Sequence, residues 1–338
     1  MSRSLNLFPI LFTTRIMSEL QPLTAPPTAK DILDAQERIR PYIHRTPIIT
    51  SEKMNDLSAA SDVRLFFKGE HLQKTGAFKA RGALNAVMTH RNQAKAGAFV
   101  THSSGNHGAA LAWAARTMGF VAHIVMPKNA PKAKIDAVKS YGGIITFCEP
   151  TLQARESTAQ QIKEQTGSIL IHPYDNYDII AGQATATLEL IEDAAQPLDT
   201  IYIPVGGGGL LAGAALANHY FGKARVVGCE PEQASDAWTS FKTGNWTPVQ
   251  HPNTIADGLR TSLGRKNFPI IQKHVDDIVL LSEDELKRAW DIVVSRTKQF
   301  IEPSAAAGVA AALKHDTQGS VGIMLCGGNM SLSIIDHI

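Results

Sequence analysis

The sequence predicts an α/β fold in which parallel sheets form two domains. Short runs rich in β-branched residues alternate with longer alanine-rich stretches of helical spacing, a pattern typical of strands joined by crossover helices. The chain has 338 residues, of which 44% are hydrophobic and 19% charged, enough for two substantial cores. Polar or glycine-rich loops follow several of the runs, at the position where such sheets bind ligands.

The individual elements follow from this alternation. The predicted strands are Val63–Lys68, Ala98–His102, Val121–Met126, Ile144–Phe147, Thr200–Val205, Ala224–Cys229, Asp277–Leu281 and Val321–Leu325. The predicted helices are Phe78–His90, His107–Met118, Pro131–Tyr141, Arg155–Thr166, Gln183–Asp193, Leu210–Tyr220, Glu283–Lys298 and Ser304–Lys314. Pro131 fits a first helical position, and Gly142 fits a helix stop.

Composition excludes several classes of protein. The 33 Lys and Arg against 31 Asp and Glu leave a formal charge of +2, too little for a dedicated nucleic-acid binder. No apolar run reaches the roughly 18 residues that span a membrane. Three scattered cysteines predict reduced thiols rather than disulfides: Cys148, Cys229 and Cys326. The histidines lack the spacing of zinc ligands: His102, His107, His123 and His172.

Residues 1–27 are predicted to be an N-terminal extension, which we expect to be disordered and to end in a linker. Its beginning contains Arg3 and Arg15 and no acidic residue, a composition found in transit peptides. We expect a cytoplasmic protein, and mitochondrial targeting by the extension is the alternative.

Two loops carry side chains suited to catalysis. Lys79 follows a glycine turn at the start of a helix, where a cation is unfavourable. It is either a solvent-facing lysine or one that forms a Schiff base. The sequence Thr101–Gly108, THSSGNHG, follows a strand, and its backbone amides predict an anion site. Ser104 in this loop is either a helix cap or an acid/base group.

Two glycine loops are candidates for a ligand site. Gly206–Gly209 lies between a strand and a helix, so its amides can wrap a phosphate. Gly207, Gly209 and Ala212 also fit GxGxxA, with Glu230 near the position of a ribose-binding acid, which makes a dinucleotide-binding oxidoreductase the rival interpretation. Cys326 precedes a second glycine pair and is either a buried apolar residue or a partner of a ligand nitrogen.

The segment 230–236, EPEQASD, offers the oxygen ligands that magnesium or calcium prefers. A solvated acidic loop is the other interpretation of this segment. The residues alone do not decide between the two.

Together these motifs resemble the pyridoxal-phosphate (PLP) enzymes of fold type II, and among them the serine racemase and serine/threonine dehydratase family. The resemblance runs from about Asp31 to Leu332. It rests on motifs in a fixed order: KTGAFKARGALNAV, THSSGNHG, HPYDNYDIIAGQ, PVGGGGLLAG, EPEQASD, TIADGLR, IEPSAAAGVA and CGGN.

The resemblance implies a role for each matching residue. Lys79 corresponds to the Schiff-base lysine and Ser104 to a second acid/base on the opposite cofactor face. The other cofactor contacts it implies are Phe78, Asn106, Gly206, Gly207, Gly208, Gly209, Leu210 and Cys326. The substrate contacts it implies are Ser103, Ser104, Asn106, His107 and Arg155.

The resemblance also implies sites and partners beyond the reaction centre. Glu230, Asp236 and the Ala234 carbonyl correspond to a site for Mg²⁺, or for Ca²⁺ or Mn²⁺. Lys74, Thr75 and Asn329 correspond to a nucleotide-effector site, which would bind ATP. The family further implies a homodimer. It implies a large PLP-binding domain (28–94 and 176–338), a small domain (95–175) and a cofactor in the cleft between them.

The activity implied is racemisation of serine together with β-elimination of L-serine and related β-hydroxy amino acids to a 2-oxo acid and ammonia. Tyr174 and Asp175 resemble the dehydratases, whereas Ser104 resembles the racemases. A dehydratase for threonine or threo-3-hydroxyaspartate without racemase activity therefore stays open. A catalytically inactive scaffold is a further alternative, and the presence of Lys79 argues against it.

Overall fold

A computed structural model describes residues 20–57, 62–103, 105–315 and 317–330. Its strands are short and separated by helices. They are β1 (Ile48–Ile49), β2 (Arg64–Lys68), β3 (Ala98–His102), β4 (Val121–Pro127), β5 (Ile144–Cys148), β6 (Ile169–Leu170), β7 (Thr200–Pro204), β8 (Arg225–Pro231), β9 (Asp277–Leu281) and β10 (Ser320–Met324).

The helices occupy most of the connections. They are α1 (Ala29–Ile39), α2 (Glu52–Asn55), α3 (Lys79–His90), α4 (Asn106–Thr117), α5 (Lys132–Ser140), α6 (Leu152–Thr166), α7 (Tyr177–Asp193), α8 (Gly209–Phe221), α9 (Asp236–Thr243), α10 (Asn267–His274), α11 (Glu283–Thr297) and α12 (Ala307–Lys314). Short 3₁₀ turns lie at Glu70–Leu72, Lys74–Gly76, Glu232–Ala234, Asp257–Leu259 and Pro303–Ala306.

The strands form two sheets, which confirms the predicted fold class. The larger sheet has the order β1-β2-β10-β7-β8-β9, and the smaller one has the order β5-β4-β3-β6. All neighbouring strands are parallel except β1 and β2, which pair antiparallel. We call the smaller sheet with α4, α5 and α6 the small domain and the rest of the described chain the large domain. The residue boundaries given above remain a prediction.

Several elements differ from the prediction at their ends. Helix α7 begins at Tyr177 rather than Gln183, and Pro131 caps α5 from outside instead of being its first residue. The stretch predicted as one helix from Ser304 is a 3₁₀ turn followed by α12. Gly142 lies just beyond α5 with φ +81°, so the predicted helix stop is confirmed.

Helices α3 and α7 cross at two facing glycines. A Cβ on Gly182 would lie 2.6 Å from the Cα of Gly82, and a Cβ on Gly82 would lie 2.5 Å from the Gln183 amide. The Gly82 N–H also donates to the Gln183 side chain at 3.2 Å. The two backbones therefore meet with no side chain between them at this crossing.

The segment before α1 contacts the large domain. The Leu23 N–H donates to the Asp178 carboxylate at 3.3 Å, and Pro27 is buried. Thr28 and Asp31 form a capping box that starts α1. Residues 1–19 of the predicted extension lie outside the described residues, so the structure adds nothing on targeting.

Candidate active site

A cavity of about 660 Å³ lies between the two domains and brings most of the predicted site residues together. It opens at the carboxyl ends of the parallel strands, as the fold class predicts. The predicted residues that line it are Phe78, Lys79, Ser103, Asn106, His107, Arg155, Gly206, Gly207, Gly208, Gly209, Leu210 and Cys326. Ser104 falls outside the described residues.

Lys79 is the first residue of α3 and reaches into this cavity. Its position is set by a turn in which Thr75 and Gly76 both have positive φ angles, of 61° and 73°. The Phe78 N–H then donates to the Cys326 carbonyl at 3.0 Å. The Lys79 ammonium donates to the Pro173 carbonyl at 3.1 Å, and burial lowers its pKa to about 8. A lysine with this pKa supplies a neutral amine far more readily than one in water.

The glycine loop between β7 and α8 has no room for side chains. A Cβ on Gly207 would lie 2.3 Å from the Tyr174 ring, and one on Gly206 would lie 2.9 Å from the Leu259 Cα. The Asn267 amide holds this arrangement by donating to the carbonyls of Gly207 (2.6 Å) and Tyr174 (3.2 Å). The first amides of α8 have no partner within the helix, so the loop fits a phosphate group.

Asn106 and Cys326 occupy the part of the cavity near Lys79. The Asn106 amide nitrogen donates to both carboxylate oxygens of Glu302, and its oxygen accepts from Asn329. The Cys326 thiol is buried, and burial raises its pKa well above the usual value. The thiol is therefore neutral and cannot act as a counter-ion for a protonated ring nitrogen.

Glu302 is a candidate functional residue that the sequence interpretation missed. It is buried beside Asn106, and burial raises the pKa of its carboxyl to about 7. The available signal was a lone acidic residue before a proline in the apolar segment that ends in AAAGVA. Nothing local to that segment pairs it with Asn106, which lies far away in the chain.

The loop before α4 follows strand β3 at the carboxyl end of the small-domain sheet. The Ser103 hydroxyl accepts from the Gly105 N–H at 3.3 Å. His107 is buried in the first turn of α4, and burial holds the pKa of its imidazole well below the usual value. The ring is therefore neutral, and the anion site that the sequence predicts here would depend on backbone amides rather than on this imidazole.

Arg155 of α6 lines the same cavity and is half-buried. Its charge contributes to lowering the pKa of His102, although burial is the larger cause. The structure shows no hydrogen bond or ion pair for its guanidinium among the described residues. The guanidinium is thus available to a carboxylate in the cavity.

The predicted cation ligands Glu230 and Asp236 are buried next to each other. Glu230 accepts from the N–H groups of Ala237 (2.9 Å) and Trp238 (2.7 Å), and Asp236 accepts from that of Leu263 (2.7 Å). The other Asp236 oxygen has no partner although it is buried. Burial raises the pKa of Asp236 to about 7, and burial together with Asp236 raises that of Glu230.

This donor set fits a hard cation, because two buried acids without a cationic partner are otherwise unfavourable. Ala234 is buried in the turn between these acids, at the end of Glu232–Ala234. No group of three or more histidine, cysteine or acidic side chains placed to hold a metal occurs in the described part of the chain. Any site here therefore depends on backbone oxygen and water in addition to the two carboxylates.

The predicted nucleotide-effector residues are not among those that line the cavity. The Asn329 amide nitrogen donates to the Thr75 carbonyl at 2.7 Å and to the Asn106 side chain at 3.0 Å. Lys74 is next to Thr75 in the same turn. These residues are therefore brought together, and Asn329 connects them to Asn106.

The comparisons with known proteins agree with this geometry. Residues 39–327 match the model of the family described as pyridoxal-phosphate dependent enzyme. A serine racemase of Dictyostelium discoideum is 45% identical over 92% of this chain and 97% of its own length. The L-threo-3-hydroxyaspartate ammonia-lyase of Saccharomyces cerevisiae is 41% identical over 90% of this chain and 94% of its own.

Solved structures of such enzymes are also similar to this chain. The maize serine racemase is 39% identical and superimposes with a TM-score of 0.87 over 92% of this chain and 96% of its own. No helix among the described residues is long and apolar enough to cross a membrane. On its family match, its relatives and its fold, this chain belongs to the pyridoxal-phosphate dependent enzymes.

Proposed function

We propose that this protein racemises serine and eliminates water from L-serine and related β-hydroxy amino acids, giving a 2-oxo acid and ammonia. The observation that carries the proposal is the position of Lys79, whose amine has a lowered pKa and shares one cavity with the glycine loop and Cys326. The relatives support the same chemistry, because they include serine racemases and a hydroxyaspartate ammonia-lyase. The family match favours this interpretation over the dinucleotide-binding oxidoreductase.

Each residue of the cavity has its own role in the proposed reaction. Lys79 would hold PLP covalently, the glycine loop and the first turn of α8 would bind its phosphate, and Asn106 would contact its ring oxygen. When bound, PLP delocalises the negative charge that develops at the substrate Cα. Displaced from the cofactor by the substrate amine, the Lys79 amine would take the Cα proton on one face, and Ser104 would return a proton on the other.

Cys326 sets the balance between the two outcomes. A neutral thiol does not keep the ring nitrogen protonated, so the negative charge at Cα is weakly stabilised. Loss of a β-hydroxyl therefore competes with return of the proton. The start of α4 would bind the substrate carboxylate, since a helix start attracts anions and Ser103, Asn106 and His107 line the cavity.

A second candidate activity is favoured by Arg155. Its guanidinium is free of protein partners in the described chain and suits a substrate with a second carboxylate. This observation supports threo-3-hydroxyaspartate as a substrate.

We further propose Mg²⁺, or Ca²⁺ or Mn²⁺, at Glu230, Asp236 and the Ala234 carbonyl, with a structural role in the large domain. We also propose ATP as an effector near Lys74, Thr75 and Asn329, a homodimeric assembly and a cytoplasmic location. The buried, partnerless oxygen of Asp236 supports the cation. The other proposals rest on the family resemblance.

One assay tests the activity. D-serine and pyruvate are measured together from L-serine, with threonine and threo-3-hydroxyaspartate as competitors. Formation of both products supports the proposal, and pyruvate alone supports a dehydratase. A protein that shows no visible absorbance band sensitive to borohydride and binds a nicotinamide dinucleotide instead would overturn it.

A further inference from the structure

An ion pair joins the two domains at the edge of the cavity. Lys134 of α5 in the small domain contacts the carboxylate of Asp257, the first residue of a 3₁₀ turn in the large domain. Both side chains line the cavity, and they are 28% and 37% exposed. The pair therefore spans the boundary between the cavity and solvent.

The turn that carries Asp257 is packed against the glycine loop. A Cβ on Gly206 would lie 2.9 Å from the Leu259 Cα and 3.1 Å from the Gly258 carbonyl oxygen. A displacement of this turn would therefore be transmitted directly to the loop that fits the phosphate.

The same turn also contacts the segment that contains Glu302. The Gly258 N–H donates to the Ser304 hydroxyl at 3.0 Å, and a Cβ on Gly258 would lie 3.7 Å from a Glu302 oxygen. Burial is the main cause of the raised pKa of the Glu302 carboxyl, and the charges of Asp257 and Lys134 raise and lower this pKa, respectively.

The pair lies away from the connection between the domains. Near that connection, the Lys266 N–H donates to Asp175 at 2.7 Å and Asn267 donates to Tyr174. Lys134 instead contacts Asp257 through its side chain, so an opening of the cavity would break this contact. A partly exposed ion pair of this kind changes the equilibrium constant between a closed and an open cavity by about two- to fivefold.

We propose that the Lys134–Asp257 pair is a positioning contact that holds the small domain closed over the bound substrate and fixes the turn Asp257–Leu259 against the glycine loop and Glu302. The inference rests on the proposed function, because it assigns a step of turnover to the pair. Neither residue moves a proton in the reaction.

The test compares Lys134→Met and Asp257→Asn with the charge-exchanged double variant Lys134→Asp/Asp257→Lys. Lys132→Met is the matched control, since Lys132 lies on the same helix and pairs with Asp136 on its exposed surface. We expect each single variant to raise the KM for L-serine about two- to fivefold with a smaller change in kcat. In the double variant the KM returns most of the way to the wild-type value, and the KM of Lys132→Met equals that of the wild type.

Two further measurements give results that a local disturbance of the structure by the substitution would not produce. The wild-type KM rises with added NaCl, and that of Lys134→Met does not, since the charge being screened is absent. Small-angle X-ray scattering with substrate detects compaction of the wild type and less compaction of Lys134→Met. A double variant no better than either single one, or a Lys132→Met enzyme as impaired as Lys134→Met, would overturn the inference. A wild type inactive on serine, threonine and 3-hydroxyaspartate overturns the proposed function instead of the role of the ion pair.

Discussion

The Asn106 side chain donates hydrogen bonds to both carboxylate oxygens of Glu302, each at 3.0 Å. The two residues come from different domains, Asn106 from the start of α4 and Glu302 from the segment before α12. Glu302 therefore orients the amide that we place at the cofactor ring oxygen. The charge on Glu302 determines how well it can do so.

The first prediction concerns the pH profile. The pKa of Glu302 is raised to about 7, so its carboxyl is ionised, and accepts best from Asn106, above that pH. We expect kcat/KM to rise through about pH 7 with Mg²⁺ saturating, and Glu302→Gln to remove this rise. The control is Glu149→Gln, because Glu149 is exposed and paired with Lys128. A rise that persists in Glu302→Gln would assign it to another group.

Lys79→Ala should lose both covalent cofactor attachment and proton transfer. General acid/base groups contribute about 10²–10⁴-fold, so we expect the rate to fall by at least that factor. The visible absorbance band of the wild type should be absent in the variant. A variant that keeps the band would show that another amine holds the cofactor.

Gly207→Ala should abolish cofactor binding by collision with the Tyr174 ring. The added Cβ would lie 2.3 Å from that ring, and an overpacked site costs about 1–3 kcal/mol of stability. Cofactor affinity is measured by titration, and stability by thermal unfolding. Adding Tyr174→Ala should restore much of the stability, since it removes the collision. Without such recovery, the steric explanation is wrong.

Ser104→Ala should separate the two reactions. If Ser104 supplies the proton on the face opposite Lys79, the variant loses D-serine formation and keeps pyruvate formation from L-serine. Both products are measured in one reaction mixture. Equal loss of both would reject a two-base arrangement.

Because Glu230 and Asp236 are buried acids, we expect the effect of a cation on the stability of the protein to depend on pH. The pKa of Asp236 is raised to about 7 in the folded protein, above its value in the unfolded chain. Its contribution to the free energy of unfolding is therefore largest at low pH. Stability of the metal-free protein should therefore fall as the pH rises from about 4 towards 7. Mg²⁺ should raise the melting temperature by a few degrees at pH 8 and less at pH 6. Asp236→Asn should remove this response, and an unresponsive wild type would exclude the site.

Much of this architecture is predictable because it is local. The alternation of strands and helices identifies the fold class, and the loops after the strands contain Lys79, Asn106 and the glycine run. The start of α7 was not predictable, whereas its end at Asp193 was predicted correctly. Its first residues follow the polar sequence PYDN, and they are helical because Asn176 caps them by accepting from the N–H groups of Asp178 and Ile179.

The contacts that join distant segments could not be predicted from one sequence. Glu302 and Asn106 are far apart in the chain, as are Lys134 and Asp257, and each pair depends on how the domains are placed. The same applies to Tyr174, whose role as the ring above Gly207 appears only in three dimensions. The cation ligands are an intermediate case, since the motif names them and only the structure shows the partnerless oxygen of Asp236.

The contact between Gly82 and Gly182 fixes helix α3 against helix α7. Helix α3 carries Lys79 at its first residue, and helix α7 receives the chain as it returns from the small domain. With their backbones in contact, these two helices cannot slide past each other without a collision of main-chain atoms. The backbone contact therefore fixes the direction from which the Lys79 amine enters the cavity, and a Cβ at either glycine would alter that direction.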